Sequence, residues 1–181
     1  MSAQRDVAEA LERAVALLTR RPDKGLHEDA KATVAWQGGT RTAAFHENGL
    51  RMDTDMPTEL GGNGSLVSPG WLFRAGIAAC GVTVIAMVAA SEGIELEALT
   101  VEIDSTSDTR GALGMKEPTG DSIYPGPTQL RIAVRIRAPG VDAARLRGIV
   151  EEGLRRSPIQ NAIMRITPLS IALDTGDYAV G

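Results

Sequence analysis

From Ser68 to Ser91 the chain carries one charged residue, Arg74, in an otherwise apolar run rich in small residues. Ser68 is a favoured N-cap, Pro69 a favoured first helical residue, and Gly93 a natural stop. The run predicts one helix, roughly 34 Å long at about 1.5 Å per residue. It is apolar nearly all round, so it must be covered nearly all round. A bilayer could do that, because Trp71–Ala90 approaches the ~20 residues that a span needs. Arg74 interrupts the stretch early, where a charge is expensive in lipid. What remains, Ala75–Ala90, is short and rich in Ala and Gly rather than Leu. Small residues let other backbones approach closely, so the helix reads as one buried in protein. One sheet cannot cover it, and a second subunit is expected on the other side.

Composition narrows the classes of partner. A chain of 181 residues fits a single domain with its own core. With aromatics at 3%, that core must be built from Ala, Val, Ile and Leu. The net charge of −4 argues against nucleic acid, whose phosphates call for a basic face. Arg5, Asp6 and Glu9 stand where a secretory signal would be apolar, so a cytoplasmic location is expected.

Two amphipathic patterns flank the apolar helix. Val7, Leu11, Ala14, Val15 and Leu18 predict a first helix over 3–21, with Ser2 as its N-cap and Pro22 as its stop. Leu146, Ile149, Val150 and Leu154 predict another over Asp142–Arg156. Ser157-Pro158-Ile159-Gln160 has the spacing of a capping box and restarts a short helix. Between the first and the long helix, Ala32–Trp36, Arg41–His46 and Leu50–Asp53 predict an antiparallel meander. Its turns are Gly38-Gly39 and Asn48-Gly49. Strict alternation marks two longer strands, around Leu99–Asp104 and Leu130–Arg137, and Leu169, Ile171 and Leu173 suggest a last one. Asp174–Gly181 reads as a frayed tail. The order α-βββ-α-ββ-α-α-β is that of an α+β domain. Residues 110–127 form a long Gly/Pro-rich loop, read either as a mobile excursion or as a lid.

Candidate chemistry is sparse. The two histidines, His27 and His46, have no ligand spacing between them, and no metal or other cofactor is expected. Gly61-Gly62-Asn63-Gly64 lacks the Lys-Ser/Thr of a phosphate loop. Cys80, the sole cysteine, lies in the middle of the apolar helix. It rules out an internal disulfide and is either inert core filling or a reactive centre. A reactive thiol must be held as thiolate below its ordinary pKa of about 8.5, which calls for nearby positive charge. The helix N-terminus is about 18 Å away along the axis and cannot supply it. Some Arg or Lys from elsewhere in the fold must do so.

Glu59-Leu60-Gly61-Gly62, then Ser68-Pro69, then Leu72-Phe73-x-Ala75-Gly76-x-Ala78-Ala79-Cys80, resemble the OsmC/Ohr family. These are the osmotically inducible protein C and organic hydroperoxide resistance proteins. The resemblance covers about residues 31–174, and Arg155-Arg156-Ser157-Pro158-Ile159 falls at the family's second helix motif. Residues 1–30 form a separate N-terminal helix and linker, similar to an extension found in a subset of OsmC-like proteins. Residues 31–181 form the OsmC-like domain.

The resemblance implies an antiparallel sheet wrapped around the long central helix, in an intertwined homodimer. It also implies thiol-dependent reduction of organic hydroperoxides. In such enzymes a first Cys attacks the peroxide and becomes a sulfenic acid, a second Cys forms a disulfide with it, and an external dithiol reduces the pair. An Arg from the first hairpin stabilises the thiolate, and in the Ohr branch a Glu holds that Arg. Cys80 matches the first Cys and Arg41 the hairpin Arg, although an exposed strand Arg is the plain alternative for the latter. The chain departs from the pattern twice: Ser157 stands where the family has its second Cys, and Gly70 where the Ohr branch has its Glu.

The expected function is thus a single-cysteine hydroperoxide reductase in oxidative-stress defence, with a small apolar hydroperoxide as substrate and an external thiol as reductant. The alternative is a non-enzymatic binding protein for a small apolar or acyl ligand, with Cys80 as a wall residue. A different thiol chemistry, hydrolysis or transfer, is a third possibility that no residue selects.

Overall fold

The protein is described here, over residues 3–176, by a computed structural model. Its helices are α1 (Ala3–Arg20), α2 (Pro69–Ser91), α3 (Thr109–Ala112), α4 (Ala143–Arg156) and α5 (Pro158–Met164). Its strands are β1 (Thr33–Trp36), β2 (Thr42–Phe45), β3 (Arg51–Thr54), β4 (Ala98–Ser107) and β5 (Pro127–Arg137). They make two antiparallel sheets, β1-β2-β3 and β4-β5.

α2 forms as its start signals predict. The Ser68 hydroxyl accepts from the Trp71 amide at 3.2 Å, and Pro69 opens the first turn. One side of α2 packs on β4 and α4, where Ile85, Val88, Ala89 and Ile149 make the buried core. Strand register places Leu99 opposite Ile136, Val101 opposite Val134 and Ile103 opposite Ile132, and this apolar face completes the core. The outer face of the hairpin is charged. Arg131 pairs with Asp104 at 2.6 Å, Arg135 with Glu102 at 2.5 Å, and Arg137 with Glu97 at 3.0 Å. Exposed pairs of this kind add little stability, but they identify the wet side of the hairpin.

α4 approaches α2 closely because Gly153 lacks a side chain. A Cβ there would come within 2.6 Å of Ile85 Cγ1 and 2.7 Å of its Cα. Gly81 of α2 serves the same contact from the other helix, its open side facing Leu154.

α1 lies against the C-terminal end of α2, where the Gln4 side chain accepts from the Leu96 amide at 3.1 Å. Ser2, expected as its N-cap, lies outside the described residues, as does most of the expected tail, 177–181. One segment expected to be irregular holds short structure. Residues 110–127 begin in α3 and carry a bridge between Lys116 and Ser122. Arg110 ties this segment together by reaching both Asp108, at 2.6 Å, and Glu117, at 3.1 Å.

One expected element does not form. Leu169, Ile171 and Leu173 belong to no strand and are 87%, 87% and 84% exposed. A strand exists only where a neighbour takes its backbone hydrogen bonds, and this segment reaches neither sheet within the chain.

Candidate active site

Cys80 is half-buried on α2, and Ser157 is fully buried at the joint between α4 and α5. The Ser157 hydroxyl donates to Cys80 Sγ at 3.2 Å. The close helix contact delivers this geometry. Ser157 lies four residues beyond Gly153, and Cys80 five before Ile85, so antiparallel helices in register at that pair bring the two side chains level, about 6–8 Å along the axes.

The capping box expected at Ser157 and Gln160 does not form. Ser157 occupies the N-cap position, but its hydroxyl makes no capping bond and is directed at the sulfur instead. The joint is held by Asn161, whose Nδ2 donates to the carbonyls of Arg155 and Ser157, each at 2.9 Å. Arg155 and Arg156 are both engaged by Glu152, at 2.7 Å and 2.5 Å. The Arg155 hydrogen bonds, and next those of Arg156, hold the Glu152 carboxyl down at about 2.

Arg41 is not brought to Cys80 within the chain. It is exposed just before β2, and its guanidinium makes no hydrogen bond or ion pair among the described residues. Its charge acts instead on Asp55, a residue that motif reading missed. Asp55 is 1% exposed and accepts from the Thr40 hydroxyl at 2.6 Å, the Met56 amide at 2.8 Å and the Asn63 amide at 3.0 Å. The Thr40 bond, then the Asn63 bond, keep its carboxyl below the ordinary range, with Arg41 adding a smaller effect. Asp55 thus ties the hairpin that bears Arg41 to the Gly61-Gly62-Asn63-Gly64 loop. Gly62 is required there, since a Cβ would collide with the Met56 carbonyl. No phosphate-loop geometry is involved.

Gly70 sits beside a second arginine. A Cβ at position 70 would lie 3.8 Å from Arg74 Nη1, and Nη1 donates to the Ser105 hydroxyl at 3.3 Å. The i,i+4 spacing of 70 and 74 was a usable signal for this neighbourhood. His46 Nδ1 accepts from the Asn48 amide in the second turn, and His27 lies near Asp29, both far from any metal-like grouping. Among the described residues no cluster of potential metal ligands exists.

Next to the Cys80–Ser157 pair lies a groove of about 400 Å³ between the first sheet and α2. Val34 and Ala44 form its sheet side, Leu72, Phe73 and Gly76 its α2 side, and Ile159 its α5 end. Gly76 is one helical turn before Cys80, and Ile159 two residues after Ser157.

Residues 62–172 match the family described as OsmC-like protein. The chain belongs to that family. An "Organic hydroperoxide resistance protein" of Xanthomonas axonopodis pv. citri is 32% identical over 142 residues, 78% of this chain and 89% of the relative. Among solved structures, an OsmC-like protein from Mycoplasma pneumoniae superposes with a TM-score of 0.63 at 15% identity, covering 78% of this chain and 91% of that one. An organic hydroperoxide resistance protein OsmC from Legionella pneumophila gives 0.55 at 25% identity, covering 76% and 91%. The α+β, OsmC-like fold is thereby shown. The family match contains α2, Cys80, Gly70 and Ser157, and begins after Arg41 and all of α1. In this OsmC-like chain, the Ser157 hydroxyl reaches the sulfur of the sole cysteine, Cys80.

Proposed function

We propose that this protein reduces organic hydroperoxides through Cys80 alone, as part of oxidative-stress defence. The observation that carries the reading is the buried Ser157 hydroxyl aimed at a half-buried Cys80 Sγ, beside an apolar groove. A donor directed at the sulfur stabilises negative charge on it. The thiolate attacks one oxygen of R–O–O–H and the O–O bond breaks. Cys80 becomes a sulfenic acid, and R–O⁻ leaves and takes a proton as the alcohol. With serine at 157, no internal disulfide can follow. An external thiol condenses with the sulfenic acid and releases water, and a second thiol equivalent frees Cys80 again.

The reading includes a homodimer. Within one protomer Val34, Trp36 and Met52 are 58%, 74% and 49% exposed on the first sheet, and Phe73 and Ala79 of α2 are exposed. α2 is long and apolar enough to cross a membrane, with 28% of its most apolar window buried. A second copy covering this face would hide α2, give the 166–173 segment a strand neighbour, and bring one protomer's Arg41 towards the other's Cys80. The presence of Arg41 away from Cys80 inside the protomer favours the second reading, a binding protein for an apolar ligand, if no such dimer forms.

The test is consumption of cumene hydroperoxide with an excess of a dithiol. Cys80→Ser is expected to reduce the rate to background. Turnover at the wild-type rate in that variant would overturn the single-cysteine reading, and no turnover in the wild type would leave the binding protein.

A further inference from the structure

Arg74 is the one lysine or arginine among the described residues that is not exposed. It also has no carboxylate partner among them. Its Nη1 donates to the Ser105 hydroxyl at 3.3 Å, while its Nε and Nη2 make no hydrogen bond among the described residues. Neither of those two nitrogens is shut off from solvent. The acids of the adjacent strand do not serve it. Strand alternation turns Glu102 and Asp104 to the other face of the hairpin, where Arg135 and Arg131 hold them. A partly desolvated cation with idle donors is costly, and folded proteins normally pair it.

Arg74 lines a cavity of about 200 Å³ between α2 and β4. Its other walls are Trp71, Ala75, Ala78, Val101 and Ile103, all apolar. No second cation lines it, so it offers one positive charge beside a hydrocarbon wall. With Nη1 held by Ser105, the free Nε–Nη2 edge presents two parallel N–H groups. Such an edge matches the two oxygens of a carboxylate. A phosphate dianion would call for more positive charge, and a neutral ligand would leave the guanidinium uncompensated. At about 100° per residue, Trp71 and Ala78 lie roughly 160–180° round α2 from Cys80. The cavity is therefore on the far side of the helix from the thiol, and separate from the groove walled by the first sheet.

We propose that this cavity binds a small aliphatic or aryl monocarboxylate, with the free edge of Arg74 gripping the carboxylate and Trp71, Val101 and Ile103 taking the apolar body. The site goes beyond the hydroperoxide reading. Its ligand needs no O–O bond, does not meet Cys80 and is bound unchanged.

Binding of a matched pair tests it. Full-length protein is titrated calorimetrically near neutral pH with 3-phenylpropanoate and with 3-phenylpropanamide, which has the same shape and no charge. The anion is expected to bind about tenfold more tightly than the amide. Arg74→Met and Arg74→Gln remove the charge and should each bring the two affinities together, with both variants checked for native melting. Cys80→Ser should keep the preference, because the thiol is on the other side of α2. Equal affinities in the wild type, no binding of the anion, or a preference that survives both Arg74 substitutions would overturn the proposal; the guanidinium would then be met by water or by a carboxylate of a second copy. A preference lost in Cys80→Ser would overturn it as well, by moving the anion to the thiol's side. The two readings fail separately, since cumene hydroperoxide turnover in Cys80→Ser bears only on the peroxidase.

Discussion

The α2–α4–β4–β5 half of the chain closes its own core, while the β1–β3 sheet leaves large apolar side chains exposed. Ile85 and Ile149 in the first half are 0% and 1% exposed, whereas Val34 and Trp36 in the second are 58% and 74% exposed. The β4–β5 hairpin has an apolar and a charged face, whereas the first sheet mixes the two, with Thr42 and Thr54 on the face of Val34 and Trp36, and Ala43 and Phe45 on the other. The difference is that α4 and the hairpin pack directly against α2 in the same chain, whereas α2 meets the first sheet only across an open groove. Side-chain pattern alone therefore makes a face ready to be covered without supplying the cover.

The sharpest way to break the comparison is to remove the exposed segment that follows α5. Ending the chain at Arg165 takes away Ile166, Leu169, Ile171 and Leu173. The full chain should run as a dimer in size-exclusion chromatography with light scattering, and the shortened chain as a monomer or an aggregate. A dimer from both would place the contact elsewhere.

Next in size is the contrast between core positions. Ile85→Ala should cost about 2–5 kcal/mol in denaturant unfolding, the range for a buried aliphatic truncation. Trp36→Ala should change the unfolding of a dilute, dissociated protomer by much less, and raise the dimer dissociation constant instead. Equal effects of the two on the protomer would erase the distinction between closed and open halves.

Ser157→Ala probes the joint between α5 and α2. Alkylation of Cys80 by iodoacetamide near neutral pH should slow several-fold, because the sulfur loses its donor. Asn161 still holds the α4–α5 joint, so the melting temperature should move by only a few degrees. An unchanged alkylation rate would reduce Ser157 to a packing residue.

The smallest effect is one of pH. Glu152, held at about 2 by Arg155 and Arg156 against an ordinary 4.5, favours the folded state above that ordinary value. As pH falls from about 4.5 through about 2, the unfolded carboxyl protonates first and the advantage is lost. Glu152→Gln should thus melt below the wild type at neutral pH, and the gap should close across that window. A constant gap would mean that the pairing is not what matters at 152.

Much of this was legible in the residues. Ser68-Pro69 and Gly93 bracketed α2 because capping and proline preferences act within one turn of chain. The β4–β5 alternation was readable because a half-buried strand must repeat every two residues. The spacing of Gly61-Gly62 and Ala78-Ala79-Cys80 led to the right family. Other features were not local. Ser157 looked like a cap, since its spacing to Gln160 allows one, yet the sulfur of a residue 77 positions away takes its hydrogen bond. Asp55 belongs to no motif, and its three donors come together only after the hairpin and the glycine loop have folded. Leu169–Leu173 has the pattern of a strand, but pairing depends on an edge being within reach.

By itself, then, the sequence determined most of the elements, the apolar helix with its single thiol, and the family. Those follow from interactions between residues a few positions apart, or from residue identity alone. Only the tertiary structure decided that Ser157 faces Cys80, that Arg74 stands beside Gly70, and that Arg41 lies away from the thiol within a protomer. Each of those depends on how closely two helices or a helix and a sheet approach, which for α2 and α4 turns on the missing side chain of Gly153.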